Sequence, residues 1–138
     1  MLNALISDGS FHVSVLSRHS SKSTFPSSVK VLKIADGYPL TELVEAFTGQ
    51  DAVVSLIGPT HALQQIPMID AAKKAGVRLF LPAEYGVNKE NPRTAAHPVF
   101  GNKKKILDHL KASENEEFGW IGIATGPFFD WCVQFPLL

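Results

Sequence analysis

The chain has 138 residues, 45% of them hydrophobic, and its 13 basic side chains balance 13 acidic ones. A chain of this length favours one domain with its own core. The zero net charge excludes a global field that would draw the chain to nucleic acid or to an anionic membrane. No apolar run reaches the roughly 20 residues of a membrane helix, and no secretory signal pattern is present. With a single cysteine, Cys132, these features predict a cytoplasmic protein.

The first third of the chain predicts a helix followed by two strands. Residues 2–8 place apolar side chains on one helical face, and Gly9 stands where a left-handed cap ends a helix. HVSVLS, at 12–17, alternates polar and apolar residues and favours a strand. After a serine-rich loop, VKVLKI at 29–34 favours a second strand.

The middle of the chain predicts a helix, a buried strand and a further helix. LTELVEAFTG, at 40–49, is amphipathic, with four apolar residues expected to face inward. These are Leu40, Leu43, Val44 and Phe47. DAVVSLIG, at 51–58, is nearly unbroken apolar sequence, as in a strand buried on both faces. Thr60 is a candidate cap for the next helix, and Pro67 stands at a tolerable first-turn position of the segment that Gly76 ends.

The last part of the chain repeats the strand and helix alternation. VRLFLP at 77–82 favours a buried strand, the segment from Pro98 onward a helix, and GWIGIATG at 119–126 a final strand. Strands that alternate with helices are typical of a doubly wound parallel α/β sheet. We therefore expect one domain of this class over residues 1–138.

Ligands of such a fold lie at the carboxyl ends of the strands. After the first strand come Arg18 and Lys22, two cations and no acid, which favours the 2′-phosphate of NADPH over the ribose hydroxyl of NADH. A solvated loop arginine is the alternative. After the third strand, Gly58 and Pro59 form a tight turn where a cofactor backbone can approach closely, although an ordinary strand-to-helix turn also accounts for them.

A glycine-rich turn for the pyrophosphate is absent from the sequence. The chain begins within the helix that should follow such a turn. We therefore expect a Rossmann-like fold that lacks its first strand, so that the strands at 12–17 and 51–58 lose their common neighbour in the middle of the sheet. Their facing backbone groups would then be unpaired, at a cost in stability.

Two lysines are candidates for proton transfer. Tyr85 and Lys89 have the four-residue spacing of many nicotinamide-dependent reductases, but YGVNKENP is poor helix material, so we interpret that spacing as coincidence. Lys103 falls inside the apolar stripe of its predicted helix, between Phe100 and Leu110. A desolvated lysine releases its proton nearer neutral pH. The alternative is a lysine that extends its ammonium into water.

Glu84 follows the fourth strand and is a candidate to bind substrate or position a loop, with a solvated loop carboxylate as the alternative. The five histidines lack metal-ligand spacing, and no cluster with cysteine exists, so we predict no metal site. No nucleophile elbow or triad order is visible.

Four segments together resemble the NmrA-like, isoflavone reductase-like proteins, which include phenylcoumaran benzylic ether reductases. They are GQDAVVSLIG, IDAAKKAGVRLFLPAEYG, PVFGNKKKI and TGPFFDW, and the resemblance covers essentially the whole chain. It implies an NADPH-dependent reductase fold that acts on small aromatic or other secondary metabolites. It does not indicate an oligomeric state.

The resemblance also implies roles for individual residues. The family's lysine in the pattern F-x-x-K-x-x-I matches Lys103, which would serve as the catalytic group and contact the cofactor. Its strand-end arginine matches Arg18, and its post-strand glutamate matches Glu84, beside Tyr85 at the substrate pocket. Ala83 replaces the family's serine, so a hydroxyl role is lost there. The segment TGPFFDW would line the nicotinamide and substrate pocket with Gly126, Pro127, Phe128 and Phe129.

Two departures from the family pattern lead to three hypotheses. The glycine-rich motif is missing, and the chain stops where the family continues into its substrate region, so both ends look incomplete. The first hypothesis is an NADPH-dependent oxidoreductase that uses Lys103 for proton transfer. The second is a dinucleotide-binding regulator without turnover. The third is that the 138-residue chain alone is inactive.

Overall fold

The computed structural model describes residues 1–86, 101–126 and 128. The first elements in chain order are α1 (Leu2–Asp8), β1 (Ser14–Arg18), β2 (Lys30–Ile34), α2 (Leu40–Phe47) and β3 (Ala52–Val54). A 3₁₀ helix (Pro59–Gln64) then leads directly into α3 (Gln65–Lys74) and β4 (Leu79–Leu81). The helix α4 (Gly101–Ser113) and the strand β5 (Gly119–Trp120) follow.

Helix ends in the structure follow the turn residues of the sequence. Gly9 adopts a left-handed conformation with φ of 76° and caps α1, which confirms the predicted end of that helix. Gly76 has φ of 78° two residues after the end of α3, a conformation that costs glycine little because it has no Cβ. Pro67 lies in the first turn of α3, where its missing N–H has no helical partner to lose.

Three local predictions are wrong. Leu40 is 37% exposed rather than turned inward, because it is the first residue of α2 and lies beyond the packed face. Thr60 does not cap a helix: Gly58 holds that position, and Pro59 starts the 3₁₀ helix with a φ already suited to it. The strand β3 is not buried on both faces, since Ala52 is exposed and the two valines after it are only partly buried.

The described strands form two separate parallel sheets. β1 pairs with β2 from Ser14↔Lys30 to Arg18↔Ile34. β3 pairs with β4, and β4 with β5, also in parallel. Within the described part of the chain, no ladder joins β1 to β3. The predicted parallel α/β class is confirmed.

A common hydrophobic core links the two sheets through side chains. Ile34 of β2, Leu43 and Phe47 of α2, and Phe80 of β4 belong to one buried cluster. Ile106 and Leu110 on α4 complete the cluster, and both are fully buried. Among the helices of the described residues, none is long and apolar enough to cross a bilayer.

Candidate functional site

A lysine of β2 contacts backbone carbonyl groups at the end of β1 and in the loop that follows it. Lys33 Nζ donates a hydrogen bond of 3.2 Å to the carbonyl oxygen of Arg18 and lies 3.5 Å from the carbonyl oxygen of Ser21. The same ammonium lies 3.5 Å from Ser17 Oγ. The Arg18 side chain, at the carboxyl end of the strand, is partly exposed. Lys22 is exposed four residues further on, so the loop presents cationic groups to solvent.

Asp36, two residues after the end of β2, accepts hydrogen bonds from the same loop. Asp36 Oδ1 accepts hydrogen bonds from the Ser20 hydroxyl at 2.9 Å and from the Ser20 N–H at 3.2 Å. The hydroxyl bond is the main reason why the pKa of Asp36 is lowered, followed by the backbone bond, and the positive charges of Arg18 and His19 add to the effect. Sequence reasoning considered the residues that follow β1, β3 and β4 but not those that follow β2, and therefore missed Asp36. Its signal was an acid two residues beyond the end of β2.

The turn after β3 borders open space. Gly58 has φ of −68° and ψ of 160°, an extended conformation that other residues also adopt. A Cβ added there would meet nothing within 4 Å, so the backbone surface is accessible to a ligand. Pro59 follows as the first residue of the 3₁₀ helix. Arg18 and Gly58 both line the same cavity, whose volume is about 430 Å³.

Lys103 is anchored to the end of β4. Its side chain is partly buried on α4, and its Nζ donates a 2.8 Å hydrogen bond to the carbonyl oxygen of Ala83. The neighbouring Lys104 is exposed and instead pairs with Asp108 at 2.7 Å along the helix. The helical projection therefore distinguished these two lysines correctly. The ammonium of Lys103 lies at the carboxyl end of a parallel strand, where ligands of this fold class bind.

The N–H of Ala83, which belongs to the preceding peptide unit, is bound by a buried glutamine. Gln65 Oε1 accepts a 2.7 Å hydrogen bond from the Ala83 N–H, and Gln65 Nε2 donates to the carbonyl oxygen of Ala62 at 3.3 Å. Gln65 is fully buried. Sequence reasoning missed this residue because a polar side chain at a helix start ordinarily faces solvent, and nothing in the local pattern marks it as internal.

Glu84 and Tyr85 extend this end of β4. Glu84 is only 7% exposed, so the interpretation as a solvated loop carboxylate is wrong. Its N–H donates to the carbonyl oxygen of Pro82 at 2.7 Å. Burial raises the pKa of Tyr85 above its ordinary value. Tyr85 itself is not in a helix, and Lys89 lies outside the described residues.

The loops after β4 and β5 meet through two glycines. The N–H of Gly126 donates a 3.0 Å hydrogen bond to the carbonyl oxygen of Gly86. Gly126 has φ of 70°, a left-handed conformation in which a side chain would be strained. Phe128 is 58% exposed, and the predicted pocket residues Pro127 and Phe129 lie outside the described residues.

The predicted site residues fall into two groups. Arg18 and Gly58 line one cavity, beside the loop that carries Lys22. Lys103 and Ala83 meet at the end of β4, followed in the chain by Glu84 and Tyr85. Both groups lie at carboxyl ends of parallel strands, which is the arrangement of a ligand site in an open α/β sheet.

Comparison with known proteins places this architecture in a family. The model of the NmrA-like family matches residues 1–136. The oxidoreductase aprR of Aspergillus flavus is 38% identical over 136 residues, which is 97% of this chain and 46% of that protein. The oxidoreductase poxI of Penicillium oxalicum is 31% identical over 141 residues, covering 99% of this chain and 44% of its own length.

A solved structure shares the fold. The chain of AtPrR2 with NADP⁺ and (+)pinoresinol has a TM-score of 0.77 at 21% identity, covering 95% of this chain and 46% of its own. The protein is thus a parallel α/β protein of the class that binds ligands at strand ends. It belongs to the NmrA-like family, and it spans about half the length of the curated relatives it matches.

Proposed function

We propose that this chain forms the cofactor-binding and proton-donating part of an NADPH-dependent reductase of the isoflavone reductase-like type, with a small aromatic or related secondary metabolite as substrate. The observation that carries the proposal is the 2.8 Å hydrogen bond that fixes Lys103 at the carboxyl end of β4. The names of the fungal relatives support an oxidoreductase. The solved structure with NADP⁺ and pinoresinol supports the choice of cofactor and of substrate class.

The residues of this chain fit one end of the cofactor. Arg18 and Lys22 provide cations for a 2′-phosphate. The nearby carboxylate of Asp36 accepts two hydrogen bonds from Ser20 within the loop. Gly58 leaves room for close approach of a ligand. The sequence has no glycine-rich turn for the pyrophosphate. The contacts that we propose are therefore those at the 2′-phosphate end of the cofactor.

Lys103 is the proposed proton donor. When bound, NADPH supplies a hydride to a carbon of the substrate. The bond to Ala83 uses one N–H of the Lys103 ammonium and leaves two others to point toward a substrate oxygen. Transfer of one of these protons neutralises the negative charge that would develop on that oxygen. Gln65 acts as a positioning residue, because it binds the N–H of Ala83, the residue whose carbonyl oxygen accepts the hydrogen bond from the lysine.

A thermal melt with nucleotides tests the cofactor half of the proposal. NADPH should raise the melting temperature of the 138-residue chain more than NADH at equal concentration, since a ligand that binds only the folded state stabilises it. Arg18→Ala should abolish the difference between the two nucleotides. Arg78→Ala is the matched control, because Arg78 is exposed at the opposite, amino-terminal end of β4. Equal shifts by both nucleotides would contradict the assignment of Arg18.

A chimera tests the catalytic half. The 136 matched residues would replace the corresponding segment of aprR from Aspergillus flavus, and NADPH oxidation would be followed with a panel of aromatic substrates. Lys103→Ala should abolish turnover while NADPH still binds, whereas Lys104→Ala should retain it. Unchanged turnover in Lys103→Ala would remove the catalytic role. Binding of NADPH with no turnover across the panel would instead favour a dinucleotide-binding regulator.

A further inference from the structure

Lys33 of β2 lies beside the loop that carries the two cations proposed for the 2′-phosphate. Its ammonium contacts the backbone at the last residue of β1 and again three residues later. We propose that Lys33 is a positioning residue that sets the preference for NADPH over NADH, because it holds this loop in the shape that presents Arg18 and Lys22. The role rests on the proposed function, since only a nucleotide that carries the 2′-phosphate would use the loop.

The register of the first sheet brings Lys33 to this loop. Lys33 is the parallel partner of Ser17, and Arg18 is that of Ile34. Successive side chains in a strand point to opposite faces of the sheet. Lys33 therefore leaves the sheet on the face of Ser17, whereas Arg18 leaves it on the face of Ile34. The lysine binds the backbone of Arg18 without occupying the face from which the arginine side chain extends.

Three polar contacts fix the Lys33 ammonium. It donates a 3.2 Å hydrogen bond to the carbonyl oxygen of Arg18, and it lies 3.5 Å from the carbonyl oxygen of Ser21 and 3.5 Å from the hydroxyl oxygen of Ser17. An ammonium group has three N–H donors, one for each of these oxygens. Hydrogen bonds from a charged donor are stronger than neutral ones. Lys33 thus joins the end of β1 to the loop that follows it.

Two backbone hydrogen bonds order the same turn. The N–H of Ser21 donates a 3.1 Å bond to the carbonyl oxygen of Arg18, which is the oxygen that also accepts from Lys33. The N–H of His19 donates a 2.9 Å bond to the carbonyl oxygen of Ile34. The loop is therefore ordered before a ligand binds. Binding to an ordered loop avoids the loss of conformational entropy that ordering it would require.

Loss of the Lys33 ammonium should weaken the binding of NADPH and leave that of NADH unchanged. Without it, the carbonyl groups of Arg18 and Ser21 lose a common donor, and the loop must be ordered when the phosphate binds. NADH has no 2′-phosphate, so its binding does not use the cations of this loop. The charge of Lys33 acts in the same direction. The ammonium lies within 3.5 Å of the loop backbone, inside the Debye length of about 8 Å at physiological ionic strength.

Nucleotide titration of three variants tests this role. The fluorescence of NADPH and NADH reports their binding to the 138-residue chain. In Lys33→Met the affinity for NADPH should fall about three- to tenfold while that for NADH is unchanged. Lys33→Arg keeps a charged donor and should restore most of the preference. Lys30→Met is the matched control, since Lys30 is exposed and pairs with Ser14 at the amino-terminal end of the same strand.

Three outcomes of the titration would overturn the inference. They are an unchanged preference for NADPH in Lys33→Met, an equal loss of both nucleotides in that variant, and the same loss of preference in Lys30→Met. The second outcome would reduce Lys33 to a general structural role.

Limited proteolysis separates this inference from the proposed function. Trypsin cleaves after Lys22, and the rate at which the peptide of residues 1–22 appears reports how often the loop opens in the absence of nucleotide. The rate should rise in Lys33→Met but not in Lys33→Arg or Lys30→Met. An unchanged rate in Lys33→Met would overturn the inference while leaving the proposed function intact. If the rate rises but the unsubstituted chain binds NADPH no better than NADH, the proposed function fails, and the specificity role of Lys33 fails with it.

Discussion

The ammonium of Lys103 lies 2.8 Å from the carbonyl oxygen of Ala83, so a hydrogen bond between residues 20 apart in sequence joins a helix to the segment that follows β4. The family pattern has serine where this chain has alanine, but the contact uses the backbone and does not depend on that side chain. The N–H of the same residue donates to Gln65. A buried side chain and a catalytic candidate are therefore coupled through the backbone of a single residue, Ala83.

Replacing Lys103 with methionine should destabilise the fold. The substitution keeps the length and helix propensity of the side chain but removes the charged donor to Ala83. Hydrogen bonds of this kind contribute about 1.5–3 kcal/mol, and partial exposure of the ammonium places the expected loss in the free energy of unfolding near the lower end. Lys104→Met should cost about 0.5 kcal/mol or less, since its pair with Asp108 is exposed. Urea denaturation at pH 7 measures both, and equal losses would contradict the structural role of Lys103.

Gln65→Leu should lower the free energy of unfolding more than most substitutions of polar residues in this chain. It leaves the Ala83 N–H without its acceptor in a buried setting, at a cost of about 1–3 kcal/mol. The adjacent Gln64 is only partly buried, and Gln64→Leu serves as a control with the same chemical change. Chemical denaturation reports stability, and the NADPH-induced melting shift reports whether the strand end is still ordered. A Gln65→Leu protein as stable as its control would show that the bond contributes little.

Asp36 should make stability depend on pH in the acid range. Its pKa is lowered in the folded protein, mainly by the hydroxyl of Ser20. The folded state therefore binds this proton less tightly than the unfolded chain does. The stabilisation is present above the ordinary value of 3.8 and is lost as the pH falls through the lower folded value. As the pH is lowered from 6 to 2, the melting temperature should fall less steeply in Asp36→Asn than in the unsubstituted protein. Glu45→Gln changes an exposed acid on α2 and should leave the slope as it is in the unsubstituted protein.

Tyr85 should contribute a pH dependence of the opposite kind at high pH. Burial raises its pKa above 10.0, so the folded protein keeps the phenol proton when the unfolded chain has begun to lose it. The associated stability is complete below pH 10.0 and is lost as the pH rises through the folded value. In an absorbance titration, Tyr85→Phe should remove an ionisation whose midpoint lies above 10.0. Loss of an ionisation at or below 10.0 in this variant would refute the assignment.

The sequence predicted side-chain directions best where a helical period of apolar residues marks the buried face. The stripe of α4 predicted Lys103 on the inner side and Lys104 outside, because helix geometry converts spacing into direction. It was least informative where a contact depends on tertiary structure. Neither the link between Gln65 and Ala83 nor that between Asp36 and Ser20 has a local signature, since each joins segments at least 16 residues apart. The burial of β3 was overestimated for the same reason: an apolar run does not reveal which neighbours pack against it.

The division of the sheet has a consequence for how the molecule opens. No ladder bond connects β1 to β3 in the described chain, so side-chain packing in the core cluster carries the connection between the two halves. Amide hydrogens in β1–β2 and in β3–β4–β5 are then free to exchange with solvent in separate events, each with its own opening free energy. The protein would behave as two exchange units that share one core, and β4, which has partners on both sides, would be the slowest to exchange.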